Sequence, residues 1–445
     1  MRSKLFAPLF LFIIALTTTA NAETRSNKAE SLARQAISEN TTESKAAIAT
    51  LRSMGTEGLN ALFTVYASDI KRYIETGEQT AEWTKIAGAL DAVAMQKDAY
   101  AARLYWHTDF DKAKEESLKS KKPILSLRLL GNLNEEFSCA NSRFFRTVLY
   151  ANEDISSILR ERFVLHWKSV RPAPHVTIDF GDGRKIESTI TGNSIHYILD
   201  SNGLPIDALV GLNGPATFKR WLIQTEDAFK KLEIIGNKEN GSDNANNAKQ
   251  DALVNYHLAQ IEAIKFDWAN DLKKTGVMLP KEVIELTNAN RPPTAMRASP
   301  LAITKRAVEF RVLKQITVED SLLEAKTDIE SWRKIAELHL DDAKLDQNSI
   351  GLIRRKTFTE EKNPNKQLIQ LIKNFEGYIA LDTVRNAYLL QKKLHVWLRT
   401  DLRNDLDKLN EKVYAELFLT PSSDPWLGLY SPDTYTAISG GGIIK

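Results

Sequence analysis

Among the chain's 445 residues there is one cysteine, Cys139, and it stands just ahead of a helical stretch that runs through Phe144, Phe145, Val148 and Leu149. A thiol attacks as its thiolate, and a helix N-terminus favours thiolate through free N–H groups and the macrodipole. Two carboxylates, Glu135 and Glu136, precede Cys139 and would act the other way, raising a nearby thiol's pKa. With no second cysteine an intramolecular disulfide is impossible. Cys139 is therefore buried and inert, paired with another molecule, or a reactive thiol.

Other chemistries find less to work with. The seven histidines are scattered, without a His-x-x-x-His or Cys/His cluster, so neither a metal nor another cofactor is expected. The phosphate- and dinucleotide-binding glycine patterns are missing, as is a Gly-x-Ser-x-Gly nucleophile elbow. Asp179 and Asp182 flank a glycine-rich turn, which a hairpin explains better than a calcium site.

The first 22 residues read as a secretory signal peptide. Arg2 and Lys4 give a positive start, Leu5–Leu16 is almost wholly apolar, and Ala20-Asn21-Ala22 offers small residues for cleavage. The apolar run falls short of the roughly 20 residues a membrane span needs, an uncleaved anchor being the competing reading. An exported protein, periplasmic or extracellular, is expected, and not an integral membrane protein. Loss of Arg2 and Lys4 lowers the formal charge from +3 to +1. Charges of both signs are interspersed, so no footprint for nucleic acid is present.

The elements that must position Cys139 follow from periodicity. Residues 23–102 read as a helical region, with Leu59, Leu62, Phe63, Tyr66 and Ile70 on one stripe and Gly55 ending a helix. Between 103 and 235 helices and strands alternate. Asp109–Ser120 is a helix stopped by Lys121-Lys122-Pro123, Ile124–Leu130 a strand, and Asn152 caps a further helix. Arg162–Trp167 is a strand, and Val176–Phe180 and Arg184–Ile190 form a hairpin about Gly181-Asp182-Gly183. Ile195–Leu199 and Pro205–Val210 flank a second turn, and Gly214-Pro215 opens a closing helix. Gly236–Gln250 reads as a linker. Helices return over 251–420, interrupted at Asn288–Pro300. Residues 421–445 form an aromatic tail with Pro421, Pro425 and Pro432, expected to lie extended across another domain. Trp332, Trp397 and Trp426 are expected in cores.

The α/β region resembles the thioredoxin superfamily, most closely its exported bacterial thioredoxin-like members. The ordered set carries the resemblance: a helix, Lys122-Pro123-Ile124-Leu125 entering a central strand, Cys139 ahead of a helix, then Asn152-Glu153-Asp154-Ile155 through Phe163-Val164, the Asp200–Gly203 turn and a terminal helix. It implies a thioredoxin-like domain flanked by all-α regions. The family's Cys-x-x-Cys becomes Cys139-Ala140-Asn141-Ser142, a motif whose second position can donate a hydrogen bond to a thiolate but cannot resolve a disulfide. The family's buried acid falls at Ser126 or Leu127. Its proline ahead of the fourth strand falls at Ser194, and His196 two residues on shares the strand that should run beside Cys139. A Cys–His pair would activate the thiol, although a satisfied core histidine is commoner; His166 is a weaker version of the idea.

Two functions follow. In one, Cys139 works as a monothiol in thiol-disulfide exchange or oxidant sensing, with Ser142 as its partner and an external thiol completing the cycle. In the other, the domain is redox-inactive and the helical regions bind a protein client.

Overall fold

Helix boundaries in this chain are set mainly by side-chain caps and chain stops. The computed structural model describes residues 25–190, 193–238, 243–278, 329–357, 364–424 and Leu427. The expected signal peptide, the interruption at Asn288–Pro300, Trp426 and nearly all of the aromatic tail lie outside the described residues. Contacts divide the chain into two compact units, one ending at Trp106 and the other beginning at His107. The whole is a mixed α/β chain, mostly helical.

The first unit is all helix: α1 (25–35), α2 (Thr41–Ser53), α3 (Thr56–Val65), α4 (Ala67–Thr76) and α5 (Ala81–Ala94). Asn40 Oδ1 accepts from the N–H groups of Thr42 and Glu43, and Thr80 Oγ1 from Trp83, so both helices start on a capping side chain. Gly55, at φ +70°, turns the chain between α2 and α3. The single stripe expected over this region is split, because the chain breaks helix at Tyr66. Leu59, Leu62, Tyr66 and Ile70 are nonetheless buried, while Phe63 is partly exposed.

The second unit opens with α6 (Phe110–Ser120), capped by Asp109 and ended by Lys121 in the left-handed region before Lys122-Pro123. Then follow β1 (Ile124–Leu130), α7 (Ala140–Phe144) continuing as a π turn over Phe145–Leu149, α8 (Glu153–Arg162) and β2 (Val164–Arg171). Asn152 caps α8, whose first turn holds Glu153 and Asp154 and whose last holds Arg160 and Arg162, each sign at its favoured end of the dipole. The β3–β4 ribbon (His175–Asp179, Lys185–Thr189) stands apart from the main sheet. Its Asp179 and Asp182 accept from the N–H groups of Gly181 and Arg184, as a hairpin turn requires.

The main sheet adds β5 (Ile195–Leu199) and β6 (Pro205–Val210) in the order β2-β1-β5-β6. β1 and β2 are parallel, with Leu127 opposite Trp167, while β5 runs antiparallel to both β1 and β6, with His196 between Leu127 and Leu209. Every residue of β1, β5 and β6 is buried, so both faces must be covered. One face carries Ser126, Arg128, His166 and Tyr197. Phe110 at the start of α6 packs on the His166 ring at 5.0 Å. The other face carries Leu127 and His196, whose imidazole meets Phe145 at 4.6 Å and Phe218 at 5.0 Å.

Helix α9 (Pro215–Lys238) follows the sheet, and α10 (Asp243–Thr275) returns beside it. The linker expected over Gly236–Gln250 is thus helical on both sides of residues 239–242, which lie outside the described residues. Packing of α9 on α10, with Lys249 paired to Glu233 at 3.6 Å, overrides the weak helix propensity of the Asn- and Gly-rich sequence. Next come α11 (Ile329–Glu337), α12 (Gln347–Lys356), α13 (Pro364–Arg385) with a π turn Asn386–Gln391, α14 (Lys392–Leu398), and α15 (Leu406–Lys412) with a π turn Val413–Leu417. Trp332 is core, 5.5 Å from Trp268, whereas Trp397 is half-buried. Asp346 joins the layers: one oxygen caps α12 at Ser349, the other accepts from Glu153 N–H at the start of α8. Arg171 at the end of β2 donates to the carbonyls of Thr420 and Asp424, fixing the start of the tail. Among the described residues, no helix is long and apolar enough to cross a membrane.

Gly214 allows α9 to begin where it does. A Cβ there would collide with the backbone of Asp342 and Ala343, whereas at Gly377 it would meet nothing within 4 Å. Gly214→Ala is expected to lower stability by about 1–3 kcal/mol, as overpacking does. Gly377→Ala in α13 should be neutral or stabilise by up to about 1 kcal/mol. Urea denaturation of both variants measures the difference.

Candidate functional site

Cys139 ends the loop that leaves β1 and forms the N-cap of α7, its N–H donating to Leu130 carbonyl at 3.2 Å. Its side chain accepts nothing from the first turn of the helix. Instead Sγ lies 3.2 Å from Ser194 Oγ, on the residue that leads into β5. Ser194 is itself held on both sides. Its carbonyl accepts from Gly211 N–H, and the carbonyl of the preceding Asn193 accepts from the hydroxyl of Tyr414 at 2.8 Å. Cys139, Ser142 and Ser194 all have 0% exposure.

The expected juxtaposition of Cys139 with Ser194 is therefore present. The roles expected of Ser142 and His196 are not. Ser142 Oγ lies 2.6 Å from Ser138 Oγ and 2.8 Å from the Cys139 carbonyl, so it is occupied by the loop's own hydrogen bonds and turned away from the sulfur. His196 Nε2 pairs with the Tyr150 hydroxyl at 2.7 Å, and Nδ1 has no partner among the described residues. Thus no Cys–His pair forms: the imidazole points into the face covered by Phe145 and Phe218. His166 Nδ1 meets Ser126 Oγ at 2.8 Å on the opposite face, so a Ser–His pair stands at one of the two positions, Ser126 or Leu127, where the family's acid would fall. Glu135 Oε1 accepts from Asn132, and Glu136 pairs with Lys356 at 3.4 Å, which gives both carboxylates partners other than the thiol.

Two tyrosines complete the surroundings. Burial first, and then the neighbouring Cys139, push the phenols of Tyr150 and Tyr414 well above their ordinary value. Both stay neutral. Tyr414 comes from the π turn after α15, some 270 residues beyond Cys139, and no local pattern could have announced it. Arg128 was also missed. It lies in the middle of the apolar run Ile124–Leu130, is 2% exposed, and has Nε and Nη1 without partners among the described residues. Its guanidinium sits 5.7 Å from the Phe110 ring, and burial pushes its pKa down, opposed by Tyr197, Asp407 and Tyr414. A charge inside the mostly apolar seven-residue run Ile124–Leu130 was the available signal.

A second polar cluster lies at β6, where Asp207, His257 and His395 meet, all buried. Its histidines are 138 positions apart, which is why spacing in the sequence concealed them. No family model, curated protein or solved structure matches the chain.

Burial holds the imidazoles of His166 and His196 neutral, lowering each from 6.5 to about 3. In the unfolded chain both charge below 6.5, so that state binds more protons over this interval. Their contribution is fully present above pH 6.5 and is lost as pH falls towards 3. In NMR titrations of the folded protein, the ring C–H resonances of His166 and His196 should not move between pH 7 and about 5. Stability measured by denaturation should decline over the same range.

Proposed function

We propose that this chain is an exported protein whose central region is a thioredoxin-type domain, and that it works by binding a protein client and not by redox turnover. The observation that carries the reading is the complete burial of Cys139, with its sulfur engaged by Ser194. A nucleophile needs access, and a thiol inside a packed core behaves as a small apolar residue. Ser142 gives the sulfur no hydrogen bond, and no second thiol exists to release a mixed disulfide.

The thioredoxin-type assignment is supported by topology. A parallel β1–helix–β2 unit precedes an antiparallel β5–β6 pair and a terminal helix, with Cys139 at the N-cap after β1, as the resemblance implies. Export is supported by the N-terminal pattern Arg2, Lys4, Leu5–Leu16 and Ala20-Asn21-Ala22. The client-binding surface would belong to the helical regions, which make up most of the chain outside the sheet.

One observation favours a monothiol as the second reading. The 3.2 Å approach of Cys139 to Ser194 matches the position the resemblance implies for a reactive cysteine. Reaction would require a local opening that exposes the buried sulfur.

Alkylation with iodoacetamide distinguishes the two. Binding without turnover predicts that native Cys139 reacts at least about 100-fold more slowly than the unfolded chain, the factor imposed by an opening free energy of about 3 kcal/mol. Reduction of insulin with an external thiol should not be accelerated. Native alkylation at the rate of a free thiol would reject the reading in favour of the monothiol. The mature N-terminus, read by mass spectrometry of the exported protein, should be Glu23; retention of Met1–Ala22 would reject cleavage.

A further inference from the structure

The buried cluster at β6 has the donors, spacing and orientation of a metal site. Asp207 lies on β6, His257 on α10 and His395 on α14; they are 1%, 0% and 3% exposed. The two imidazoles face each other through Nδ1 at 3.1 Å, and His395 Nδ1 lies 3.5 Å from Asp207 Oδ1. One ligand atom from each residue falls within 4.8 Å of the others. Zinc–nitrogen bonds of about 2.0–2.1 Å in a tetrahedron set neighbouring donors about 3.4 Å apart. The two edges of 3.1 and 3.5 Å bracket that value, and the third is within 4.8 Å.

The carboxylate is oriented from outside. Asp207 Oδ2 accepts from Tyr256 hydroxyl at 2.7 Å and from Trp221 Nε1 at 3.3 Å, and Oδ1 accepts from Ala208 N–H at 2.8 Å. Such outer partners hold a ligand in place before the ion arrives. Both imidazoles are neutral, and an ion on both Nδ1 atoms would leave each ring's proton on Nε2. Burial lowers His257 to about 4 and also lowers His395, while Asp207 pulls each of them upward. Arg399 and Arg403 depress His257 further, and they also oppose a dication, so binding must come from the three donors together. Without an ion the two facing Nδ1 atoms share one proton, one ring donating to the other.

We infer that Asp207, His257 and His395 bind one divalent first-row cation of the zinc type, fastening the edge of the sheet to α10 and α14. Two nitrogens and one carboxylate oxygen suit zinc better than magnesium or calcium, which prefer oxygen alone. Three protein ligands leave a fourth position for water. The inference does not depend on the reading of Cys139.

The test uses the untagged full chain, stripped with a chelator and titrated with Co²⁺ and then Zn²⁺. The expected result is one equivalent of Co²⁺ with visible d–d absorption, displaced by Zn²⁺, and a rise in Tm on Zn²⁺ addition. Proton NMR of the Co²⁺ form should show hyperfine-shifted imidazole N–H signals, a readout that needs no variant. His257→Gln, His395→Gln and Asp207→Asn should each weaken Co²⁺ binding by at least about 100-fold. Stripped wild-type protein that takes up less than one equivalent at micromolar Co²⁺, or shows no shifted imidazole signals, would overturn the inference. So would a folded variant that binds as tightly as wild type, since the ion would then sit elsewhere.

Discussion

The rest of the second unit depends on one constraint: strands β1, β5 and β6 of its sheet are buried on both faces. β1 reads Ile124-Leu125-Ser126-Leu127-Arg128-Leu129-Leu130, and none of these side chains reaches water. A single layer of helices cannot shield such a sheet. α7 and α9 cover the face of Leu127 and His196, through Phe145 and Phe218. α6 and α15 meet the other face, the latter through a 3.3 Å hydrogen bond between Tyr197 and Asn410. The C-terminal helices are thus part of the sheet's covering and not an appended bundle.

Closing both faces forces the polar groups within to find partners. Ser126 takes His166, His196 takes Tyr150, and Asp207 takes Tyr256 and Trp221. Gln391 Nε2 reaches the Ala208 carbonyl at 2.5 Å and ties β6 to the π turn before α14. Farther out, His339 bridges Asp271 and Asp342, and Asp342 holds Arg220 through both oxygens, so α9, α10 and the helices after 329 share one ionic chain. Buried donors and acceptors left alone cost about 1–3 kcal/mol each, which makes these pairings conditions of the fold. Arg128 is one exception, with two guanidinium nitrogens unserved among the described residues.

The same closure decides the fate of the thiol. Cys139, at the end of the loop that leaves β1, brings its sulfur to 3.2 Å from Ser194 Oγ. In this chain Tyr414, from the π turn Val413–Leu417, neighbours the thiol and donates to the Asn193 carbonyl. A residue whose type and position suggest attack is thereby enclosed, while the histidine and serine expected to assist it serve other bonds.

Much of the local structure was determined by neighbouring residues and was legible for that reason. Asn152 had to cap α8, Lys122-Pro123 had to stop α6, and the β5 and β6 runs had the length and turn chemistry of a hairpin. Their causes lie within a few residues of their effects. The limits of that reasoning appear at Gly236–Gln250, where weak local preference read as linker but packing of α9 on α10 made helix. They appear again at both clusters. Type and spacing singled out Cys139, yet its neighbour Tyr414 comes from far along the chain, and Asp207, His257 and His395 meet only because β6, α10 and α14 pack together. Sequence alone determined the elements, since hydrogen bonds and dihedral preferences act locally. Tertiary structure decided access, partners and donor sets, since those depend on which distant side chains the buried sheet brings into contact.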